Sequence, residues 1–394
     1  MDTQHKTESK AASALNRCAG VLLVFAVPLL AASAFAGGPG SAGMQALKLD
    51  MSPRAAGMGG AFVAVADDIY TIGYNPAGLG QLYIPEASAV LHHSGIDDSK
   101  MNNISFGLPL PFIGLAGLAK PGFGVSLMLS DAGSFDYRYI NYDGSVTKQS
   151  FDAQKDLALT FGYGEKVYSD EVNLDGYKAK IDQYLGLNIK YVKSTILQQY
   201  SASGFAFDGG WLLLEPDLGL SLGASLANYG GGLKYATEVT NLPSIMRLGA
   251  AYERPTVMDQ SVLLAAEADF YMNEAMKSLR FGLEYHFEKI FNLRLGYKAA
   301  EDNKGLTMGL GLHYNDMSMD FASGMSNQVY NSTQLSFSYK FTGIVIKEYR
   351  NKVKYKDPQP ARAGPDKAKP AEKPASRQAK PQENKKDSDF FWIY

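Results

Sequence analysis

Residues 305–312 read GLTMGLGL, and residues 279–287 read LRFGLEYHF. In both stretches large apolar side chains alternate with small or polar ones, which is the pattern of a β-strand with two unlike faces. The same period recurs along the chain, and it places strand starts near residues 86, 102, 122, 155, 184, 203, 218, 244, 261, 279, 291, 305, 317 and 333. The sequence therefore predicts an all-β protein with about fourteen antiparallel strands.

An even number of strands fits a closed barrel in a membrane, because closure removes the unpaired edges that lipid cannot satisfy. The alternative is a secreted β-sandwich, whose apolar face packs inside while its polar face meets water. The non-apolar faces here are rich in Gly, Ser and Asn, which suit a wet, packed lumen. We therefore predict a transmembrane antiparallel β-barrel over residues 85–341. Aromatic residues at alternate positions up to Phe341 resemble the signal that the barrel-assembly machinery reads on a last strand.

The lengths of the connections agree with an outer-membrane barrel, which has long loops outside and short periplasmic turns. The connection from Ser130 to Gln154 is long and would lie outside, whereas Glu215 to Asp217 is a short turn on the opposite side. The connection from Tyr163 to Gln183 breaks the rule, because it is long and falls on the periplasmic side.

The composition argues against several classes of function. The chain of 394 residues has a formal net charge of -2, which gives no reason to expect nucleic acid as a partner. Its single cysteine, Cys18, excludes a disulfide framework and a Cys-based metal site. The glycines after residue 56 lack the G-x-G-x-x-G spacing of a nucleotide site. We predict no catalytic, cofactor or metal site, and we expect the protein not to be an enzyme.

The two ends of the chain differ from its centre. Residues 1–36 have a basic stretch up to Arg17, an uncharged apolar run and an AFA exit, which is typical of a cleaved signal peptide; an uncleaved anchor is the alternative. Residues 342–394 carry 13 Lys/Arg against 7 Asp/Glu together with six prolines, a composition that predicts a disordered periplasmic tail. The tail ends in FFWIY at residues 390–394, which suggests a docking peptide for a periplasmic partner or, equally, an unstructured end.

Residues 37–84 do not alternate and instead contain SPRAAGMGGAFVAVADD at 52–68 and YNPAGL at 74–79. This stretch resembles the N-terminal signature of the PorV/PorQ family, within the FadL-like group of outer-membrane barrels. Segments later in the chain resemble the same family, namely LGASLANYG at 222–230, RLGAAY at 247–252 and LRLGY at 293–297. The resemblance implies a fourteen-stranded barrel in the bacterial outer membrane whose residues 37–84 fold inward as a plug or hatch.

The candidate residues of the plug motif are Gly57, Gly59, Gly60, Asp67, Asp68, Asn75, Pro76 and Ala77. The last three match the family's NPA motif. The glycines allow close backbone approach or a positive φ, an aspartate can cap a short helix, and Asn before Pro marks a turn. Holding the plug in place is the favoured role for these residues, and direct contact with a ligand is the alternative.

A second group of candidates is expected to face the lumen. They are Asn188, Lys190, Arg247, Glu267, Asp269, Glu284, His286, Arg294, Lys298, His313 and Asp320. Buried charges need partners, so we expect ion pairs across the barrel, with Arg247, Glu284, His286, Arg294 and Lys298 in the network. The alternative is that some of these residues line a transport path.

Two functions follow from the resemblance. FadL-like relatives carry hydrophobic compounds across the outer membrane, which implies an apolar pocket between plug and wall and a hydrophobic ligand. PorV-like relatives act in type IX secretion as carriers or scaffolds, which implies a tight plug and a binding surface on the long outer loops. Transport of hydrophobic small molecules is the leading hypothesis, and the expected surroundings of the barrel are the lipids of the outer membrane.

Overall fold

The computed structural model describes residue 38 and residues 40–94, 99–174, 177–256, 260–274, 277–300, 304–326 and 332–342. The predicted signal peptide and the predicted tail beyond residue 342 lie outside the described residues. Within the described part, no helix has the length and apolar character needed to cross a membrane.

The described residues form eighteen strands. They are β1 Glu86–Ser94, β2 Lys100–Pro109, β3 Gly122–Asp131, β4 Ser134–Ile140, β5 Val146–Asp152, β6 Gln154–Leu174, β7 Tyr177–Ile196, β8 Tyr200–Glu215, β9 Leu220–Gly230, β10 Leu233–Tyr235, β11 Glu238–Thr240, β12 Ile245–Pro255, β13 Ser261–Tyr271, β14 Lys277–Phe287, β15 Phe291–Ala299, β16 Gly305–Tyr314, β17 Met317–Ser326 and β18 Ser332–Lys340. Fourteen of them form one closed antiparallel barrel, and β4–β5 and β10–β11 form separate hairpins. The predicted fold class is confirmed.

The barrel closes where β1 pairs with β18, with Glu86 opposite Lys340. We call this end of the barrel the base and the opposite end the rim. The connections that carry β4–β5 and β10–β11 are at the rim. Along β16 the outward Leu310 is 57% exposed, whereas the inward Thr307 is buried, so the sequence alternation separates an apolar outer face from a filled interior.

Strands β6 and β7 continue past the wall at the base. Gly164 pairs with both Gly122, at the start of β3, and Gly186. From that level the β6–β7 pairing runs on to Leu174 and Tyr177 as a two-stranded ribbon. The prediction that residues 163–183 form a connection is therefore wrong. The alternation was hidden because a ribbon that projects from the wall has no part in the apolar outer face of the barrel.

Residues 42–82, which we call the plug, lie inside the barrel. They contain four short helices, Gln45–Lys48, Pro53–Gly57, Thr71–Tyr74 and Pro76–Gln81. The helix Pro53–Gly57 contacts β15 to β18, and the helix Pro76–Gln81 contacts β3 and β6 to β8 on the other side. Polar side chains cap the starts of Pro53–Gly57 and Pro76–Gln81, since the Ser52 hydroxyl accepts a hydrogen bond from the Arg54 amide at 3.1 Å and Asn75 Oδ1 accepts one from the Ala77 amide at 3.2 Å.

Candidate functional site

The plug glycines meet glycines of the wall. A Cβ atom on Gly57 would lie 3.0 Å from the Cα of Gly309, and one on Gly296 would lie 2.0 Å from the Gly59 nitrogen. Gly59 and Gly60 have φ values of +69° and +86°, the left-handed region that favours glycine. These glycines therefore let two backbones pack directly against each other.

The NPA residues are locked on the opposite wall. The Asn75 amide donates to the carbonyls of Val63 at 2.8 Å and Trp211 at 3.0 Å, and its Oδ1 accepts from the Ala77 amide at 3.2 Å. Pro76 begins the last plug helix, where its missing N–H costs nothing. All hydrogen-bonding atoms of the Asn75 side chain are thus used within the protein, which favours a structural role.

Arg54 joins the plug to the wall near the base. It binds Asp67 at 2.5 Å and Asp68 at 3.1 Å within the plug, and Glu284 of β14 at 2.8 Å. Burial raises the pKa of Asp68 to about 6 against the pull of Arg54, and the Asp67 carboxylate adds to the rise. Asp68 also accepts a hydrogen bond from the Tyr70 amide at 2.9 Å, next to the helix Thr71–Tyr74.

Glu284 connects this group to the wall. It binds Arg294 of β15 at 2.7 Å, and Arg294 binds Asp320 of β17 at 2.6 Å. His286 lies 3.4 Å from Glu284, so a ladder of charges crosses four strands and ends on the plug. Because Glu284 and Arg294 are fully buried, the loss of one partner would leave an unpaired charge inside the barrel.

A second charged group lies deeper in the lumen, on the rim side of the first. Asp50 of the plug binds Lys298 at 2.6 Å and Arg280 at 3.4 Å, and Arg280 binds Asp269 at 3.1 Å. Burial alone raises the pKa of Asp50, but Lys298 and Arg280 lower it to about 2. The plug is therefore anchored through an aspartate that stays ionised.

Glu267 of β13 holds the plug by its backbone. Its Oε2 accepts hydrogen bonds from the amides of Phe62 at 2.8 Å and Val63 at 2.7 Å. Arg247 lies 3.8 Å from Glu267 and 3.9 Å from Asp269, longer than a direct hydrogen bond. Arg247 thus balances the two carboxylates by charge.

A polar vestibule of about 490 Å³ opens at the base, next to Arg54. On its wall His286 Nδ1 lies 2.9 Å from Asn292 Oδ1, and the Asn292 amide lies 3.1 Å from His313 Nδ1. Lys289, Lys340, Asp320 and Glu86 also line the vestibule. The mixture of both charge signs makes this a water-accessible mouth, not an apolar pocket.

At the rim end the lumen has a different character. A buried apolar group, which we call the rim cluster, consists of Met44, Ala46, Met101, Met128, Ala158, Val192, Ala202, Ala206, Leu233 and Leu242. Six of these residues come from the inward faces of β2, β3 and β6 to β8, while Leu233 and Leu242 belong to the rim connection that carries β10–β11.

Polar groups lie on both sides of the rim cluster. Toward the base, Ser126 donates to Asn103 at 2.7 Å and Ser105 donates to Ser126 at 3.0 Å. Toward the rim, the Gln154 amide donates to Asp156 at 2.9 Å. A buried apolar group between two polar layers has the chemistry of a site for a mainly hydrophobic small molecule.

The structure places the predicted lumen residues on inward faces, but it divides them. Glu284, Arg294, His286 and Asp320 belong to the group near the base, whereas Arg247, Glu267, Asp269 and Lys298 belong to the deeper one. Asn188 and Lys190 form a third group with Asp208, at 2.7 and 2.8 Å.

Sequence reasoning missed the plug partners Asp50 and Arg54, the wall partner Arg280, and the whole rim cluster. The inward residues Met101, Met128 and Val192 break the small-or-polar pattern of the lumen face. That break was the available signal for the rim cluster. No signal was available for Asp50 and Arg54, because the plug has no strand period.

Comparisons with known proteins give a partial match. The model of an uncharacterised protein family, UPF0164, matches residues 31–132. This region contains the plug motif but covers less than half of the chain, so the PorV/PorQ resemblance stays an interpretation of the N-terminal stretch. No curated protein matches the sequence.

Among solved structures, the chain is similar to the Ralstonia pickettii toluene transporter TbuX, with a TM-score of 0.49 and 13% identity over 74% of this chain and 98% of that one. It is also similar to a Pseudomonas aeruginosa FadL homologue, with a TM-score of 0.44 and 12% identity over 73% and 97% of the two chains. For the Acinetobacter baumannii outer membrane protein Omp33 the TM-score is 0.38, with 8% identity over 66% and 100%. The function of this chain has to be argued from its own residues.

Proposed function

We propose that this protein is a bacterial outer-membrane barrel that takes up hydrophobic small molecules, and that the rim cluster is the place where the solute first binds. In this orientation the base faces the periplasm and the rim, with its longer connections, faces the outside. The observation that carries the proposal is the rim cluster itself, a buried apolar group on the inward faces of β2, β3 and β6 to β8 with polar groups on both sides.

The composition of the rim cluster suits a site that opens and closes. Methionine side chains are flexible and adapt to different apolar shapes, and the alanines leave room behind them. Leu233 and Leu242 of the rim connection pack against the inward residues of the rim cluster. A hydrophobic solute would replace these leucines and bury a comparable apolar surface. The free energy needed to move the leucines out of the rim cluster would therefore be small.

The path onward needs a movement of the plug. Its contacts with the wall combine close backbone packing with ion pairs that cross to β14 and β15. The vestibule below Arg54 offers room on the periplasmic side for the plug segment next to it. We therefore describe the structure as the closed state of a gated passage.

Replacing Met101 and Met128 together by glutamine is expected to lower uptake of radiolabelled toluene and palmitate by about tenfold. The reason is that two buried amides make the rim cluster polar while its volume stays nearly constant. The measurement is uptake into proteoliposomes that contain the full chain. The matched control replaces both methionines by leucine, which keeps the rim cluster apolar and should change uptake by less than about twofold. Equal uptake by the glutamine and leucine variants would contradict the proposed entry site.

A scaffold for protein secretion is the second candidate, and the β4–β5 hairpin is the observation that favours it. Phe135, Tyr137 and Tyr139 alternate along β4 and so lie on one face of this hairpin, and Phe135 pairs with Phe151 of β5. All three β4 residues are at least 40% exposed. Exposed aromatic side chains of this kind are enriched where proteins bind one another. Wild-type proteoliposomes that take up neither toluene nor palmitate would favour this second function.

A further inference from the structure

A groove of about 440 Å³ lies on the outer surface of the barrel at the rim, across β2, β3, β6 and β7. Three lysines line it, Lys100, Lys155 and Lys193, each on the lipid-facing side of its strand. Lys100 and Lys155 pair with Asp131 from its two sides, and Lys193 pairs with Leu157 one step nearer the base. The lysines are thus neighbours on one patch.

The lysines mark the end of the apolar outer face. Directly toward the base, Leu129 and Leu157 line the same groove, and Leu127, Leu159 and other apolar side chains continue down the wall. A lysine in this position extends its alkyl stem along apolar surface and presents its ammonium group to the headgroup layer. Leu129 and Leu157 thus form an apolar stretch of the groove between Asn102 and Lys193, nearer the base than Lys100 and Lys155.

The charge of the patch is only partly balanced. Lys155 lies 3.9 Å from Asp131 and 2.7 Å from Asp152, both at the rim. Lys100 and Lys193 form no salt bridge with another residue in the described ranges. Elsewhere on the rim, the outward Lys277 of β14 lies beside the apolar Phe270.

We propose that this groove binds the phosphate-bearing headgroup of an anionic membrane lipid, with an acyl chain of the same lipid over Leu129 and Leu157. Charge complementarity selects the headgroup, since basic residues near a membrane surface attract anionic lipid. The apolar floor selects a lipid over a protein, because it is continuous with the lipid-facing wall and an acyl chain reaches it without leaving the bilayer. The inference rests on the proposed membrane placement, with the rim at one surface of the bilayer.

The test is native mass spectrometry of the full chain in a non-ionic detergent, titrated with dioleoyl phosphatidylglycerol or with dioleoyl phosphatidylcholine. We expect the anionic lipid to bind about tenfold more tightly, and the K100Q/K155Q/K193Q variant to lose this preference. The matched control K234Q/K277Q/K304Q removes the same charge from other positions and should keep the preference. Equal binding of both lipids to the wild type, or equal loss in the two triple variants, would overturn the proposal.

A single substitution gives an independent readout if the triple variant fails to fold. Asp131→Asn removes the acid between two of the lysines and should raise affinity for the anionic lipid by about fivefold. Unchanged affinity would count against the groove. Displacement of the lipid by millimolar inorganic phosphate would assign the site to free phosphate and overturn the lipid assignment. Lipid binding is measured here without uptake, so failure of the transport proposal would not be confused with failure of this one.

Discussion

Trypsin is expected to cut the folded Glu284→Gln variant after Arg54 at least about tenfold faster than it cuts the wild type. Glu284 is the carboxylate shared by Arg54 of the plug and Arg294 of the wall, at 2.8 and 2.7 Å. Glutamine keeps the shape of the side chain but removes its charge, so both buried guanidinium groups lose their shared counter-charge. Removing one partner from a buried ion pair costs about 3–5 kcal/mol, which is enough to free the plug from the wall.

The matched control for this prediction is Glu288→Gln, which makes the same charge change at an exposed position four residues away. It should leave the rate of cleavage after Arg54 unchanged. The rates are measured on detergent-purified barrels whose folded state is checked by their mobility on unheated gels. If Glu284→Gln and Glu288→Gln are cut at the same rate as the wild type, the ion network does not hold the plug.

Adding one methyl group at Gly210 is expected to prevent the plug from seating. A Cβ atom there would lie 2.1 Å from Asn75 Oδ1 and 2.8 Å from the Pro76 ring, so the NPA residues would have to leave the wall. Asn75 would then lose its bond to Trp211, and its buried amide would cost about 1–3 kcal/mol if left unpaired. We expect Gly210→Ala to expose the plug to protease and to raise ion conductance in planar bilayers.

The neighbouring residue provides a matched control. Gly209 is on the same strand, and a Cβ atom there would meet only Leu187 at 4.0 Å, an ordinary contact. Gly209→Ala should therefore behave as the wild type in both measurements. Gly210→Ala barrels with wild-type conductance and protease resistance would show that the plug tolerates displacement at the NPA motif.

The barrel could be predicted from the sequence where a strand has an apolar outer face. Strands β13 to β18 start within two residues of the predicted positions, because their outer face is apolar at every second residue. The ribbon beyond Gly164 and Gly186 was missed because it is not part of that outer face. The β4–β5 hairpin was missed for the same reason.

The site was predictable only in part. The alternation of inward and outward residues along β14 and β15 predicted that Glu284, Arg294 and Lys298 face the lumen, because every second side chain of a strand lies on the same face. The plug partners of Glu284 and Lys298 are about 230 to 250 residues away in the chain, and no local pattern joins Arg54 to Glu284 or Asp50 to Lys298. Pairing over such distances depends on barrel closure, which places β14 and β15 around the plug.

The most direct test of the proposed function locks the rim connection over the rim cluster. The Gly43 amide donates to the Asn241 carbonyl at 2.8 Å, and a Cβ atom on Gly43 would lie 3.5 Å from the Cβ of Thr240, within disulfide range. The variant G43C/T240C, made with Cys18 replaced by serine, would tie the plug to the connection that carries Leu233 and Leu242.

Uptake of radiolabelled toluene and palmitate by proteoliposomes would be measured with this disulfide formed and again after reduction. The account predicts that uptake is lost in the oxidised protein and returns to the wild-type rate when the disulfide is reduced. Unchanged uptake by protein whose disulfide is verified by mass spectrometry would contradict entry through the rim cluster.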